Sequence, residues 1–156
     1  YGKNHRTSVN GNLNKYAFLI TLLHELAHLL AFESFGHNIA PHGREWKNLY
    51  GDLLKDFLMA NIFPADVRSE LELILHNPAA SSCAEEGLLR VLRRYDKPSA
   101  IRILVEELAI GEKFMIKGGR IFERGEKLRK RIRCVELHEK RTYLFSPLYE
   151  VVRITL

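Results

Sequence analysis

Residues 24–28 read His-Glu-Leu-Ala-His, two imidazoles four positions apart with a carboxylate directly after the first. On a helix such a pair shares one face at about 5–6 Å, so His24 and His28 can hold one metal ion together. Glu25 is turned roughly a quarter-circle away, which suits a general base acting on water rather than a ligand. A catalytic zinc takes three protein ligands and leaves its fourth position to water, so the pair needs a third donor. One known zinc-peptidase spacing would place glycine at 31 and histidine at 34, where this chain has Ala31 and Ser34. His37 and His42 remain. His37 follows the helix-ending Gly36 at once and would have to turn back over more than a turn. His42 opens the next helix after a short reversal and is favoured. Glu45 is a candidate for orienting a ligating histidine through a hydrogen bond. A helical histidine is more often packed or solvated than metal-bound. Here Leu22, Leu23, Leu26, Leu29 and Leu30 surround the pair, as suits a buried active-site helix.

Helices must position these groups. Asn12 or Asn14 can cap a first helix running to Phe35, with Gly36 suited to the left-handed position that ends it. This helix is apolar nearly all round and is expected to be central. A second helix, from about Gly43 to Met59, carries Trp46, Leu49, Tyr50, Leu53, Leu54 and Phe57 at helical spacing. Trp46 is expected to pack that helix beneath the site. Pro64 reads as the first residue of a third helix ending at His76, and Ser82 with Glu85 forms a capping-box pattern for a fourth ending near Tyr95. Residues 5–14 alternate weakly and contain the Asn10-Gly11 turn pair, which suggests an edge strand. Residues 96–100 read as a linker. Beyond Ile101 come six β-rich runs, IRILV, KFMI, RIFE, KRIRCVEL, RTYLF and YEVVRI, punctuated by Gly118-Gly119 and Gly125. The expected fold class is α+β, a helical domain over 1–96 followed by an antiparallel β module over 97–156.

With 156 residues, 46% of them hydrophobic and 28% charged, the chain can bury one core, or one core and a small appendage. Its longest apolar stretch, 17–35, is interrupted by His24, Glu25, His28 and Glu33, so the reading is a soluble protein and not a membrane span. Cys83 and Cys134 are the only cysteines, too few for a disulfide framework, and no secretory leader is read, so a cytoplasmic location is expected. Lysine and arginine outnumber acids by 24 to 19, a balance compatible with an acidic partner such as DNA. Strand alternation through 127–133 places Lys127, Arg129, Arg131 and Arg133 on one face, where they can grip phosphates. The competing reading is a solvated face paired with Glu123, Glu126 and Glu136. On the fourth helix, Glu86 is spaced to pair with Arg90.

HELAH, the following FGHNIAPHGREWK and the preceding SVNGNLN resemble the SprT-like family over roughly the first 60 residues. The resemblance implies a minimal zincin fold, a zinc ion held by His24, His28 and His42, and Glu25 as catalytic base in peptide-bond hydrolysis of protein or peptide substrates. The family includes a protease of DNA–protein crosslinks, which implies association with DNA. Many members continue into a ribbon holding zinc through four cysteines, whereas Cys134 alone occupies that region here. One zinc per chain is therefore expected, with FMI, RIFE and YLFSP supplying the core of the β module in place of an ion. The alternative is a nucleic-acid-associated module whose zinc is only structural. Glu25 speaks against it, because a structural zinc needs no base.

Overall fold

The computed structural model describes residues 9–75, 86–97 and 102–154. The chain divides into two compact units, Tyr1–Lys97 and Pro98–Leu156.

The first unit is built from α1 (Lys15–Phe35), α2 (Arg44–Met59), α3 (Ala65–Leu75) and α4 (Glu86–Arg93). Asn14 is the cap that starts α1. Its Oδ1 accepts from the Tyr16 and Ala17 amides at 3.1 and 3.0 Å, filling two of the amide positions a helix start leaves open. Its Nδ2 donates to the Leu92 carbonyl at 2.9 Å and to Asp96 at 2.7 Å, so the same side chain ties α1 to the end of α4. The expected edge strand does not form over the described residues 9–14. Asn10 instead accepts from the Asn12 amide at 3.0 Å, an Asx turn that competes with strand geometry. Residues 5–8, Ser82, Cys83 and Glu85 lie outside the described residues.

On α1 the buried positions are Ala17, Ile20, Leu23, His24, Ala27 and Ala31, the spacing of one helical face. They join Trp46, Tyr50, Leu54 and Leu58 of α2, Val67, Leu71 and Ile74 of α3, and Leu88, Val91 and Leu92 of α4 in one apolar core. The helix is less central than its composition implies. Phe18, Leu22, Leu26 and Leu29 are each more than a third exposed, at positions apart from the buried face of α1. Residues 15–38 are long and apolar enough to cross a membrane by length and composition alone, and one face of that stretch serves here as core.

Pro64 stands one place ahead of its expected position. It precedes the first residue of α3, and its carbonyl accepts from the Arg68 amide at 2.8 Å. α3 and α4 are joined at their ends by the Tyr95 hydroxyl donating to Asp66 at 2.7 Å. On α4, Arg90 pairs with Glu86 at 3.3 Å, the helix-surface ion pair that the spacing predicts.

The second unit is a six-stranded antiparallel sheet: β1 (Arg102–Leu104), β2 (Lys113–Met115), β3 (Ile121–Lys127), β4 (Ile132–Glu136), β5 (Thr142–Phe145) and β6 (Glu150–Ile154), in the order β1-β6-β2-β3-β4-β5. With the helical unit, this makes the fold α+β. Its core is aromatic: Phe114 stacks on Phe122 at 5.5 Å, and Phe145 meets both rings edge-on. Cys134 is buried among them, and burial pushes its thiol pKa up. Gly118 and Gly119 take positive φ in the β2–β3 turn. Gly125 is not a turn residue. It sits inside β3 at a register shift where two β3 residues, Gly125 and Glu126, face one on β4, Arg133, and a Cβ there would lie 2.7 Å from the Arg133 carbonyl oxygen.

Candidate metal centre

His24 and His28 project from the same side of α1, one turn apart, because residues four apart on a helix lie on one face. Gly36 ends that helix with φ 68° and ψ −153°, a positive-φ conformation open essentially to glycine alone, though not the left-handed helical one that the sequence suggests. Its amide still donates back to the Phe32 carbonyl. The chain then reverses through residues 36–41, and His42 stands just ahead of Gly43, the cap of α2. A side chain at Gly43 would crowd Ala40 and Glu45, so glycine keeps this entry tight.

The three Nε2 atoms converge. His24 to His28 is 3.2 Å, His28 to His42 is 3.1 Å, and His24 to His42 is 3.4 Å. Zinc–nitrogen bonds of about 2.0–2.1 Å at tetrahedral angles place ligand nitrogens roughly 3.3–3.4 Å apart, so this triangle has the dimensions of a zinc tripod. A neutral imidazole can offer a lone pair at Nε2, and three such atoms aimed at one point repel unless a cation lies between them. Burial pushes the His24 pKa down to about 4, aided by His28 and His42. His28 is lowered by burial and by His42, with the nearby Glu25 carboxylate acting in the opposite direction. Both shifts favour the neutral, ligating form. The donor set therefore fits a borderline metal ion that prefers nitrogen ligands.

Glu25 is half-buried next to His24 on α1. His37 stays outside the cluster, exposed and packed edge-on against Phe32 at 4.6 Å. Glu45, in the first turn of α2, makes no hydrogen bond to the three histidines among the described residues. What touches all three is Trp46, with ring centroids 4.8, 5.2 and 4.7 Å from His24, His28 and His42. Sequence reading places Trp46 beneath the site and misses this triple contact. The signal for it lies in the spacing His42, Trp46, Tyr50, which carries the four-residue step of His24 and His28 from the residue ahead of the cap into α2.

The basic run falls elsewhere than on one strand face. Lys127 closes β3, residues 128–131 form the hairpin tip, and Arg133 lies on β4, where it ion-pairs with Glu126. The alternation is broken because the chain reverses between Lys127 and Ile132, which face each other across the hairpin, with the Leu128 amide donating to the Arg131 carbonyl at 2.7 Å. Lys127, Arg129, Lys130 and Arg131 are all exposed at this tip.

Comparison with known proteins gives a consistent placement. The SprT-like family profile matches residues 8–62. Protein SprT of Escherichia coli (strain K12) is 34% identical over 91 residues, covering 54% of this chain and 48% of that protein. Protein SprT of Yersinia pseudotuberculosis serotype O:1b is 46% identical over a shorter span of 43 residues, 27% of this chain and 25% of that protein. The chain spans about half the length of the curated Escherichia coli relatives it matches. No solved structure matches it. The matched segment contains the histidine cluster and Glu25, and over residues 8–62 the chain is similar to the SprT-like family.

Proposed function

We propose that this protein is a zinc metallopeptidase that hydrolyses peptide bonds in protein or peptide substrates with one zinc ion per chain. The observation that carries this reading is the convergence of His24, His28 and His42 at zinc-ligand separations with Glu25 beside them. When bound, zinc supplies Lewis acidity to a scissile carbonyl and to the attacking water. Glu25 then has the work of a general base: its carboxylate takes a proton from the water as the new C–O bond forms and passes it to the amine as the C–N bond breaks. The three imidazoles hold their positions through packing, and the lowered pKa of His24 keeps that ring unprotonated well below neutral pH.

The test is metal analysis of the purified protein together with cleavage of casein, for the unaltered chain and Glu25→Gln. The variant is expected to keep about one zinc and its fold and to lose at least about a hundredfold in hydrolysis, since a positioned base contributes roughly 10²–10⁴. Undiminished cleavage by Glu25→Gln refutes the mechanism, and two tightly held ions refute the ligand count.

A second element of the proposal is a DNA partner for the β unit. Residues 98–156 carry thirteen lysines and arginines against eight acids, whereas residues 1–97 carry eleven of each, so the whole formal charge of +5 belongs to the second unit. The exposed tip at Lys127, Arg129, Lys130 and Arg131 concentrates it. Arg133 is a weaker candidate, because Glu126 already pairs with it. Binding to oligonucleotides across a salt series tests this element separately from peptide hydrolysis.

A further inference from the structure

Metal-ligating histidines almost always donate their second ring N–H to a carboxylate, a carbonyl or water, which fixes the ring's orientation. His24 departs from that pattern. Its Nδ1 is buried without a hydrogen-bond partner, and so is Nε1 of Trp46. Nothing polar in the described protein therefore aligns the most buried of the three rings. Its contacts are aromatic: Trp46 at 4.8 Å and 64°, and Tyr50 at 5.7 Å and 75°. The same indole meets His42 nearly perpendicular, at 87°, and lies over His28 at 32°. Trp46 is itself immobilised, fully buried on the inner face of α2 and stacked on Tyr50 at 4.9 Å and 24°. A large flat ring with only two side-chain torsions is a stiff support.

We infer that Trp46 is the positioning residue of the metal centre, a single indole floor that sets the angles of all three imidazoles in place of the carboxylate partner expected at Glu45. It contributes packing, and removing it lets the rings rotate away from the common point without removing a ligand. The inference rests on the reading that the three histidines hold a metal ion.

Zinc affinity by competition with a chromophoric chelator, and the visible spectrum of the cobalt-loaded protein, are to be compared for the unaltered chain, W46F, W46L and V67A. Val67 is equally buried but on α3, so V67A controls for general loosening of the core. Far-UV circular dichroism monitors the fold. W46L is expected to weaken zinc about 10–100-fold, the usual cost of losing an orienting partner. Its cobalt bands should shift and lose intensity while helix content is kept. W46F, which preserves a flat ring against the imidazoles, should stay near the unaltered chain, and V67A should bind as the unaltered chain does. If W46L loses its helical signal, Trp46→Met takes its place, keeping more side-chain volume without the ring. Unaltered affinity and spectrum in the folded variant without the ring overturn the inference, as does equal weakening in V67A. An unaltered chain that binds neither zinc nor cobalt overturns this inference and the metal reading together.

Discussion

Gly36 stands between the helix that carries His24 and His28 and the reversal that brings in His42, and replacing it by alanine isolates one physical term. At φ 68° and ψ −153° a residue with a Cβ is strained, at a cost on the order of 1–3 kcal/mol. No atom lies within 4 Å of the added carbon, so no clash contributes and the cost is purely backbone. For a unit of this size, each kcal/mol lowers Tm by about 4–8 °C. The chain can relieve the strain only by moving residues 36–41, which displaces His42, and zinc must then restore the geometry. Each 1.4 kcal/mol restored in this way weakens zinc by about tenfold. Gly51 offers the same chemical change with the opposite sign. It lies inside α2, with open space around its added carbon, so Gly51→Ala should stabilise by about 0.5–1 kcal/mol through helix propensity. Thermal unfolding with and without zinc, with a chelator titration of each variant, reads both effects. A Gly36→Ala protein as stable as the unaltered one, or a Gly51→Ala protein destabilised alongside it, refutes the argument from backbone conformation.

Three other outcomes are expected. His42→Ala should lose tight zinc binding while His37→Ala keeps it, because the exposed His37 lies against Phe32 and outside the tripod; the reverse pattern in a zinc titration would reassign the third ligand. The Tyr95 hydrogen bond, with further help from the Val67 amide and Arg94, holds the Asp66 carboxyl below its ordinary value. Its contribution to stability is therefore complete above about pH 4 and is lost as pH falls through the lowered folded-state value. Urea unfolding followed down the acid limb should accordingly show a shallower pH dependence for Asp66→Asn and Tyr95→Phe, and identical slopes would show that the bond does not couple to folding. For the hairpin tip, Arg129→Ala combined with Arg131→Ala should reduce the slope of log DNA affinity against log salt by about two while leaving peptide hydrolysis without DNA intact. An unchanged slope would mean that the tip is an ordinary solvated turn.

The clustering of His24 and His28 was readable from spacing because helical geometry is local: four residues make one turn whatever the rest of the chain does. His42 was readable because loop reach and helix direction leave few ways back to a site on the preceding helix. The strands were legible from alternation and turn residues for the same local reason, although alternation counted across 127–133 failed once the chain reversed within the run. The bulge at Gly125 was hidden too, since it exists only as a mismatch between β3 and β4. Asn14 was one of two proposed caps. Its second role, bonding to Leu92 and Asp96 about eighty positions away, depends on packing that no window of sequence contains. The exposed leucines of α1 mark the same limit: composition records how apolar a helix is but not how many neighbours cover it.

Trp46 is the only tryptophan in the chain, and the β unit contains tyrosine and phenylalanine but no indole. Its ring lies 4.7–5.2 Å from the three imidazoles. Light absorbed at the red edge of the protein spectrum is therefore emitted from a single place, the wall of the histidine cluster. Copper or cobalt held by the histidines should quench that emission almost completely at this range, while filled-shell zinc should alter its intensity without extinguishing it. The protein thus carries its own optical gauge of site occupancy, and metal loading and release can be followed in real time without a label or a substrate.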